Sequence, residues 1–575
     1  MSERFDAVVV GMGASGAIVA EQLSKAGLEV VGLEKGPDYT ADDFEVKHDE
    51  LRYYQRNAIV AALSNDPVTW RPNESTEARI APWSAGPLGV DEPLYGLPSI
   101  GTGGGSLHWG GAAFRFREAD FSMRTTIEGR FGAGALPPDT TLVDWPIGYG
   151  DLEPYYEMAE YEQGISGRAG NLDGEIRAGG NPFEAPRSRE FPMPPLRQGA
   201  ADHPFVEACE RLGYHPYPTP TGINSVPYRG RPACVYCGFC HGFPCHVGAK
   251  SSTQVTSVPE ARATGRFELR PFSRAFKVNL DAGGRARGVS YFTSEGEVRE
   301  IEAERVILAC YALENTRLLL HSGIDQSGQV GRHFMTHNYG WFTSVLPEPT
   351  NPFMGPLTAA SVIDDLTSEL VPDNDEGVLW GSPILSVTGD LQPIEAFHSM
   401  PPAGPRWGAG LKEWLRDSYR HLHKMYSQTA TLPRAPHYCD LDPKVKDPFG
   451  VPALRITHDW DDVDVRTVRF LGRFKQRIAE EMGATEAWED PARPPYHMST
   501  HDVGLHRMGE DPASSVTDVK GEVHGCPGLY AIGGGQFPSY GAYNPTLTIQ
   551  ALAYLTADRM LSEAGVGSPG RAGSI

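Results

Sequence analysis

The first forty residues constrain this chain more than any other stretch. Asp6-Ala-Val-Val-Val10 reads as a strand, and Gly11-Met-Gly13-Ala14-Ser15-Gly16 follows without a gap. Ala17 to Ala26 reads as a helix, and Leu28 to Glu34 as a second strand ending in an acid. Gly11 permits a tight turn, Gly13 lets the backbone approach a pyrophosphate, and Gly16 lets helix and strand pack closely. Ala14 and Ser15 stand where the unpaired N–H groups of a helix start face the phosphates. Glu34 lies eighteen residues after Gly16, placed to take a ribose hydroxyl, with Lys35 beside it in the same expected site. The order strand, glycines, helix, strand, acid predicts a dinucleotide site.

A chain of 575 residues is too long for one core, so two or more domains are expected. Lys+Arg of 51 against Asp+Glu of 73 gives a net charge of −22, which disfavours nucleic acid as a partner. No run of eighteen apolar residues is present, so no membrane-spanning segment of its own is expected. No basic and then apolar leader precedes the first strand. A cytoplasmic location is expected from the sequence itself, or a periplasmic one if the folded chain travels with a signal-bearing partner.

Gly101-Thr-Gly103-Gly104-Gly-Ser106-Leu-His108-Trp109-Gly110-Gly111 forms a second glycine-rich segment. Glycines this dense suit a backbone lying flat against a bulky ring or phosphate. Helices are predicted around Asp49 to Leu63, over Asp151 to Gly164 with Asp151 as the cap, within Ser252 to Thr264, and over Ala312 to Ser322, Val465 to Met482 and Thr546 to Ala564. Strands are predicted within Phe267 to Leu280 and over Gly288 to Phe292, Glu304 to Cys310, Val378 to Val387 and Ala453 to His458. Residues 165–232 show no clear period, and residues 565–575 read as a mobile tail. The fold class expected is α/β with α+β: a Rossmann-like dinucleotide-binding domain, discontinuous in sequence, beside a sheet-based substrate domain. The boundaries read as 1–335 for the first part of the dinucleotide domain, with a cysteine-cluster insertion at about 165–250, then 336–500 for the substrate domain and 501–575 for the last part of the dinucleotide domain.

Cys234, Cys237, Cys240 and Cys245 lie in one loop, and their short gaps let thiolates converge on one small inorganic centre. Zinc suits four thiolates as well as an iron–sulfur cluster does. Lys250 and His246 read as solvated or supporting groups rather than ligands.

The opening fingerprint, the second glycine segment, Val306 to Asn315, His501-Asp-Val-Gly-Leu-His-Arg-Met-Gly509 and the run from Gly528 to Ala553 together resemble the glucose–methanol–choline (GMC) oxidoreductases. With the cysteines, the pattern looks most like the flavoprotein subunits of bacterial gluconate, sugar and glucoside dehydrogenases, and it shares features with pyranose 2-oxidase. The resemblance implies FAD and oxidation of a sugar, aldonate or polyol hydroxyl. It implies His501 as general base and Asn544 as hydrogen-bond donor to the substrate oxygen, although Asn544 could equally cap the following helix. Leu505 stands where the family commonly has Thr, and His506 beside it is a rival for the base. Gly534 and Thr546 join the cofactor site by the same likeness. His108 is implied as the attachment point of a covalent flavin, or as a group that only lines the FAD. The cysteines are implied to hold an iron–sulfur cluster, with zinc as the structural alternative. A small subunit and a cytochrome or quinone acceptor are the implied partners; a pyranose-type oxidase using dioxygen is the competing reading. Asn338 and Gln536 lie near these segments without an assigned role.

Overall fold

The computed structural model describes residues 3–44, 68–71, 79–80, 99–389, 391–492 and 499–567. The helix expected at Asp49 to Leu63 and most of the expected tail lie outside them. The opening unit forms as its pattern requires: strand Glu3–Val10, helix Gly16–Lys25, strand Val30–Leu33. The inner half of the first strand and all of the second are sealed from water, as expected for a parallel sheet covered on both faces.

These strands sit in a seven-stranded sheet. The order runs Phe267–Arg270, Val30–Leu33, Glu3–Val10, Val298–Leu308, Ala286–Phe292, Arg274–Leu280, and Leu529–Ala531 also pairs with Val298–Leu308. The first four strands and Leu529–Ala531 are parallel; the Ala286 and Arg274 strands return antiparallel. A turn at residues 282–284 joins these last two, with Gly284 at φ 82°. Helix Thr546–Glu563 packs on helix Gly16–Lys25 and on helix Tyr149–Gln163. Tyr155 donates to Asp558 at 2.6 Å and Tyr156 meets Thr548 at 2.7 Å, so hydroxyls lock that second contact.

Helix Tyr149–Gln163 starts earlier than expected. Its N-cap is Gly148, and Asp151 occupies the third turn position, where its carboxylate accepts from the Gly148 N–H at 2.9 Å. The predicted 252–264 helix shortens to Ser257–Ala263, since residues before it turn back to hold the Gly-rich segment. Residues 165–232 hold a small hairpin and the helix His203–Arg211, whose Pro204 at the first turn was a legible start signal.

The second layer is a six-stranded antiparallel sheet in the order Glu486–Glu489, His337–Val345, Leu422–Ala430, Ile384–Val387, Ser361–Ile363, Tyr217–Pro218. The strand expected from Val378 is shorter and begins at Ile384. Pro383 has no N–H to give a ladder, and a Cβ on Gly381 would lie 1.8 Å from the Leu366 carbonyl oxygen, so the chain there packs against a loop. Helix Asp462–Glu481 lies on this sheet, capped by Asp461, which accepts from the N–H groups of Val463 and Asp464. A four-stranded sheet joins Tyr438–Lys446, Pro452–Thr457, Val68–Arg71 and Arg79–Ile80. No described helix is long and apolar enough to cross a membrane.

Candidate active site

The two glycine segments meet back to back. Gly11 takes φ 95°, and a Cβ on Gly16 would lie 2.0 Å from the Gly11 carbonyl oxygen, so only glycine fits that crossing. A Cβ on Gly104 would lie 3.0 Å from Gly13 Cα, and the Gly103 N–H donates to the Met12 carbonyl at 3.0 Å. Glu34 is buried and holds the junction: one carboxylate oxygen accepts from Gly36 and Gly101 N–H at 2.9 and 3.0 Å, the other from Met12 N–H at 3.2 Å. A carboxylate has about four acceptor positions, so three backbone donors leave room for one hydroxyl. Ser106 is turned inward, donating to the Gly103 carbonyl at 2.6 Å and accepting from Thr253 N–H at 3.2 Å. Ser15 is buried at the helix start beside Gly533, and Gly534 begins the turn Gly534–Gln536. Lys35 is half-buried near Cys310.

Gly11, Gly13, Ala14, His108, Trp109, Gly110, His501, Asn544 and Thr546 keep part of their surface open, while Met12, Gly16, Leu107, Asp502 and Leu547 next to them are sealed. The buried indole N–H of Trp109 has no partner among the described residues. This alternation fits a long flat ligand bedded on glycine backbone, and FAD meets the description.

The far end of the bed is built by the antiparallel sheet. In its register His337 faces Ala430 and Tyr339 faces Gln428, so His337, Tyr339, Trp341, Gln428 and Tyr426 share one face. His501 Nδ1 lies 3.0 Å from Nδ1 of His337 and 3.0 Å from the Tyr339 hydroxyl. Gln428 Nε2 donates to the Asn544 Oδ1 at 2.8 Å, which leaves the Asn544 amide N–H groups to donate elsewhere. Thus His501 and Asn544, 43 residues apart in sequence, are tied to neighbouring positions of one strand pair. Burial lowers the His501 pKa to about 4, against a small opposing pull from Asp502, so the ring is neutral at ordinary pH. The helix after Asn544 is capped at Pro545, and the Asn544 side chain bonds Gln428 rather than the helix start.

His506, the rival base, is fully buried, with its ring against Gly535 and beside the Asn315 amide at 3.3 Å. It is a packing group between the two FAD-domain returns. Asn338 holds the Ala492 carbonyl, and Gln536 accepts from Gly533 N–H. His337, Tyr339 and Gln428 were missed from sequence. The one available signal was the polar run Thr336-His-Asn338 opening an otherwise apolar strand.

The cysteine loop lies against this site. Gly242 N–H donates to the His108 carbonyl at 2.8 Å. Lys250 is buried, not solvated, and its ammonium donates to the carbonyls of Trp109, Cys240 and Phe243 at 2.9, 2.7 and 2.7 Å. His241 is close enough to lower the pKa of both His108 and His501 electrostatically. His108 is held at about 3 mainly by burial, and its Nδ1 meets the Ser99 hydroxyl at 2.7 Å. The Cys234, Cys237 and Cys240 thiols each feel the charge of Cys245, and burial raises Cys240 most, well above the usual thiol range. Among the described residues no three His, Cys, Asp or Glu side chains converge as a ready metal cage.

Comparison with known proteins agrees with this architecture. Residues 191–339 and 436–553 match the N-terminal and C-terminal GMC oxidoreductase family models. The chain is 33% identical to the gluconate 2-dehydrogenase flavoprotein of Pantoea cypripedii, over 99% of this chain and 95% of that one. It is 26% identical to the fructose dehydrogenase large subunit of Gluconobacter japonicus, over 97% and 98%. The fold superimposes on a formate oxidase from Aspergillus oryzae with a TM-score of 0.60 at 16% identity, covering 98% of this chain and 99% of that one. This chain belongs to the GMC oxidoreductase family, FAD-dependent enzymes acting on CH–OH groups.

Proposed function

We propose that this chain is the flavoprotein of a sugar or aldonate dehydrogenase that oxidises a secondary hydroxyl to a ketone, with gluconate as the leading substrate. The observation that carries the reading is the shared wall that seats His501 and Asn544 together. The gluconate and fructose dehydrogenase relatives support the substrate class. Bound FAD supplies the acceptor for the hydrogen that leaves the carbon with its electron pair. His501 takes the hydroxyl proton at Nε2, and Asn544 Nδ2–H steadies the charge growing on the substrate oxygen. Tyr339, Trp341 and Tyr426 offer an aromatic face for the C–H surface of the sugar and keep water from it.

The relatives' description as a flavoprotein and a large subunit supports a partner subunit here; the final acceptor is assigned as a cytochrome or quinone. We assign the cysteine run to an iron–sulfur cluster, whose chemistry would be one-electron exit. The loop would close around it on insertion, as metal sites commonly form only with their metal. The chain is assigned to the cytoplasm, or to the periplasm if carried there folded by a signal-bearing partner. His108 is assigned as the covalent flavin link.

The experiment is an oxygen-free panel of gluconate, glucose, fructose and glycosides against the purified protein, following flavin bleaching. Iron, sulfide and zinc are measured on the same sample, and the colour is followed on acid precipitation. Gluconate or a close analogue should bleach the flavin, and His501→Ala should slow bleaching by about 100-fold or more. Bleaching at full rate in His501→Ala removes the assigned base. Zinc without iron, with rapid peroxide formation in air, would replace the dehydrogenase reading by an oxidase. Yellow colour left in the acid supernatant would remove the covalent link.

A further inference from the structure

The His501 imidazole does not stand alone. His337 enters from the start of strand His337–Val345 and is sealed from solvent. Its Nε2 lies 2.9 Å from the Gly541 carbonyl oxygen. A carbonyl oxygen only accepts, so His337 Nε2 carries the proton. In a neutral imidazole the other nitrogen then carries the lone pair. The opposite tautomer would set a lone pair against the Gly541 oxygen in a dry site, two acceptors with no proton between them. The Tyr540 hydroxyl, 3.3 Å from His337 Nδ1, can donate to the same lone pair. The Tyr540 ring stacks on His337 at 4.1 Å and 10° between planes, which fixes the imidazole plane.

The contact between the two Nδ1 atoms, at 3.0 Å, needs one proton, and only His501 can supply it. The Tyr339 hydroxyl oxygen at 3.0 Å then accepts a share of that same N–H. Among the described residues nothing bonds His501 Nε2, and the residue is not fully sealed from solvent.

We propose that His337 is a positioning residue: anchored on the Gly541 carbonyl, it fixes His501 as the Nδ1–H tautomer and so presents Nε2 as a bare lone pair to the substrate hydroxyl. This rests on the reading of His501 as the base. The logic is that of a hydrolase triad, in which a third group orients the base, but a neutral imidazole here takes the place of the usual carboxylate. When Nε2 gains the hydroxyl proton, Nδ1–H stays on His337 and no second proton has to move. Burial keeps both rings neutral, His337 well below the usual imidazole range and His501 at about 4.

The test uses holoenzyme labelled with 15N-histidine at neutral pH, with the His501 signals assigned by their loss in His501→Ala. Wild-type His501 should show a protonated Nδ1 and a bare Nε2, a readout that needs no turnover. In His337→Leu the His501 ring should shift to a mixture of tautomers. Flavin bleaching by gluconate should fall about 100-fold in rate with KM little changed and flavin content intact. His337→Asn, whose side-chain oxygen can still accept from His501, should recover most of both. Wild-type His501 protonated at Nε2 overturns the proposal, even if His337→Leu fails to fold. A folded His337→Leu that keeps both the tautomer and the rate overturns it as well. Full bleaching in His501→Ala would instead remove the base itself, a failure separate from the tautomer result.

Discussion

At the scale of single residues, the site depends on side chains whose own hydrogen bonds leave one atom over. Gln428 illustrates this. It comes from strand Leu422–Ala430, opposite Tyr339, and its amide N–H fixes the Asn544 carboxamide by its oxygen. Gln428→Leu keeps the volume and removes that donor, freeing the Asn544 amide to turn over. A single hydrogen bond of about 1.4 kcal/mol corresponds to a tenfold change in rate. Anaerobic bleaching should therefore slow by about tenfold, with unchanged FAD content. His501 and Asn544 were legible because each sits in a short motif resembling the family's. His337, Tyr339 and Gln428 were not, because they reach the site only through the strand register, and register depends on partners far away in sequence.

At the scale of elements, local signals were read well where the determinant is local. The opening strand–turn–helix turns on Gly16 crossing Gly11, close by in sequence, although Gly11 also faces Ala309 and Gly13 faces Gly104. Cap positions slipped, as at Asp151, because Gly148 and Asp151 form a reciprocal start that sequence places within a few residues but not at one. The cysteine loop shows the opposite case: its spacing was plain, while its docking on Trp109 through Lys250 and on His108 through Gly242 was invisible. That lysine clamps one loop to another. Lys250→Met would leave three buried carbonyls without their donor, and each unmet group costs about 1–3 kcal/mol before relaxation. We expect a loss on the order of 3 kcal/mol in denaturant unfolding, with faster proteolysis within residues 234–245, and little change if the clamp is dispensable.

At the scale of the whole molecule, buried neutral imidazoles set the acid limit. Burial holds His108 and His333 at about 3, and His423, His437, His501 and His506 at about 4. Their unfolded value is 6.5, so below that pH the unfolded chain binds more protons than the folded one. The stability they allow is present above 6.5 and is lost as pH falls toward 4. Asp120, raised by burial to about 6, acts in the opposite sense, since its folded form keeps a proton that the unfolded form releases above 3.8. At pH 6 it is about half protonated in the folded chain, one group set against the six imidazoles named above. The melting temperature should fall as pH drops from 7 to 6, and a flat or rising curve would contradict the burial of these rings.

The bed for the flavin has an ordering in time built into it. Strand Leu529–Ala531 lies beside Val298–Leu308, and helix Thr546–Glu563 rests on the opening helix Gly16–Lys25. Segments far apart in the sequence must therefore find each other before the cofactor has a complete seat. A nascent chain arrested before residue 529 carries the glycine fingerprint but not its closing partner. Flavin loading is accordingly expected to follow the synthesis of strand Leu529–Ala531 and helix Thr546–Glu563, and a chain cut before them should purify colourless.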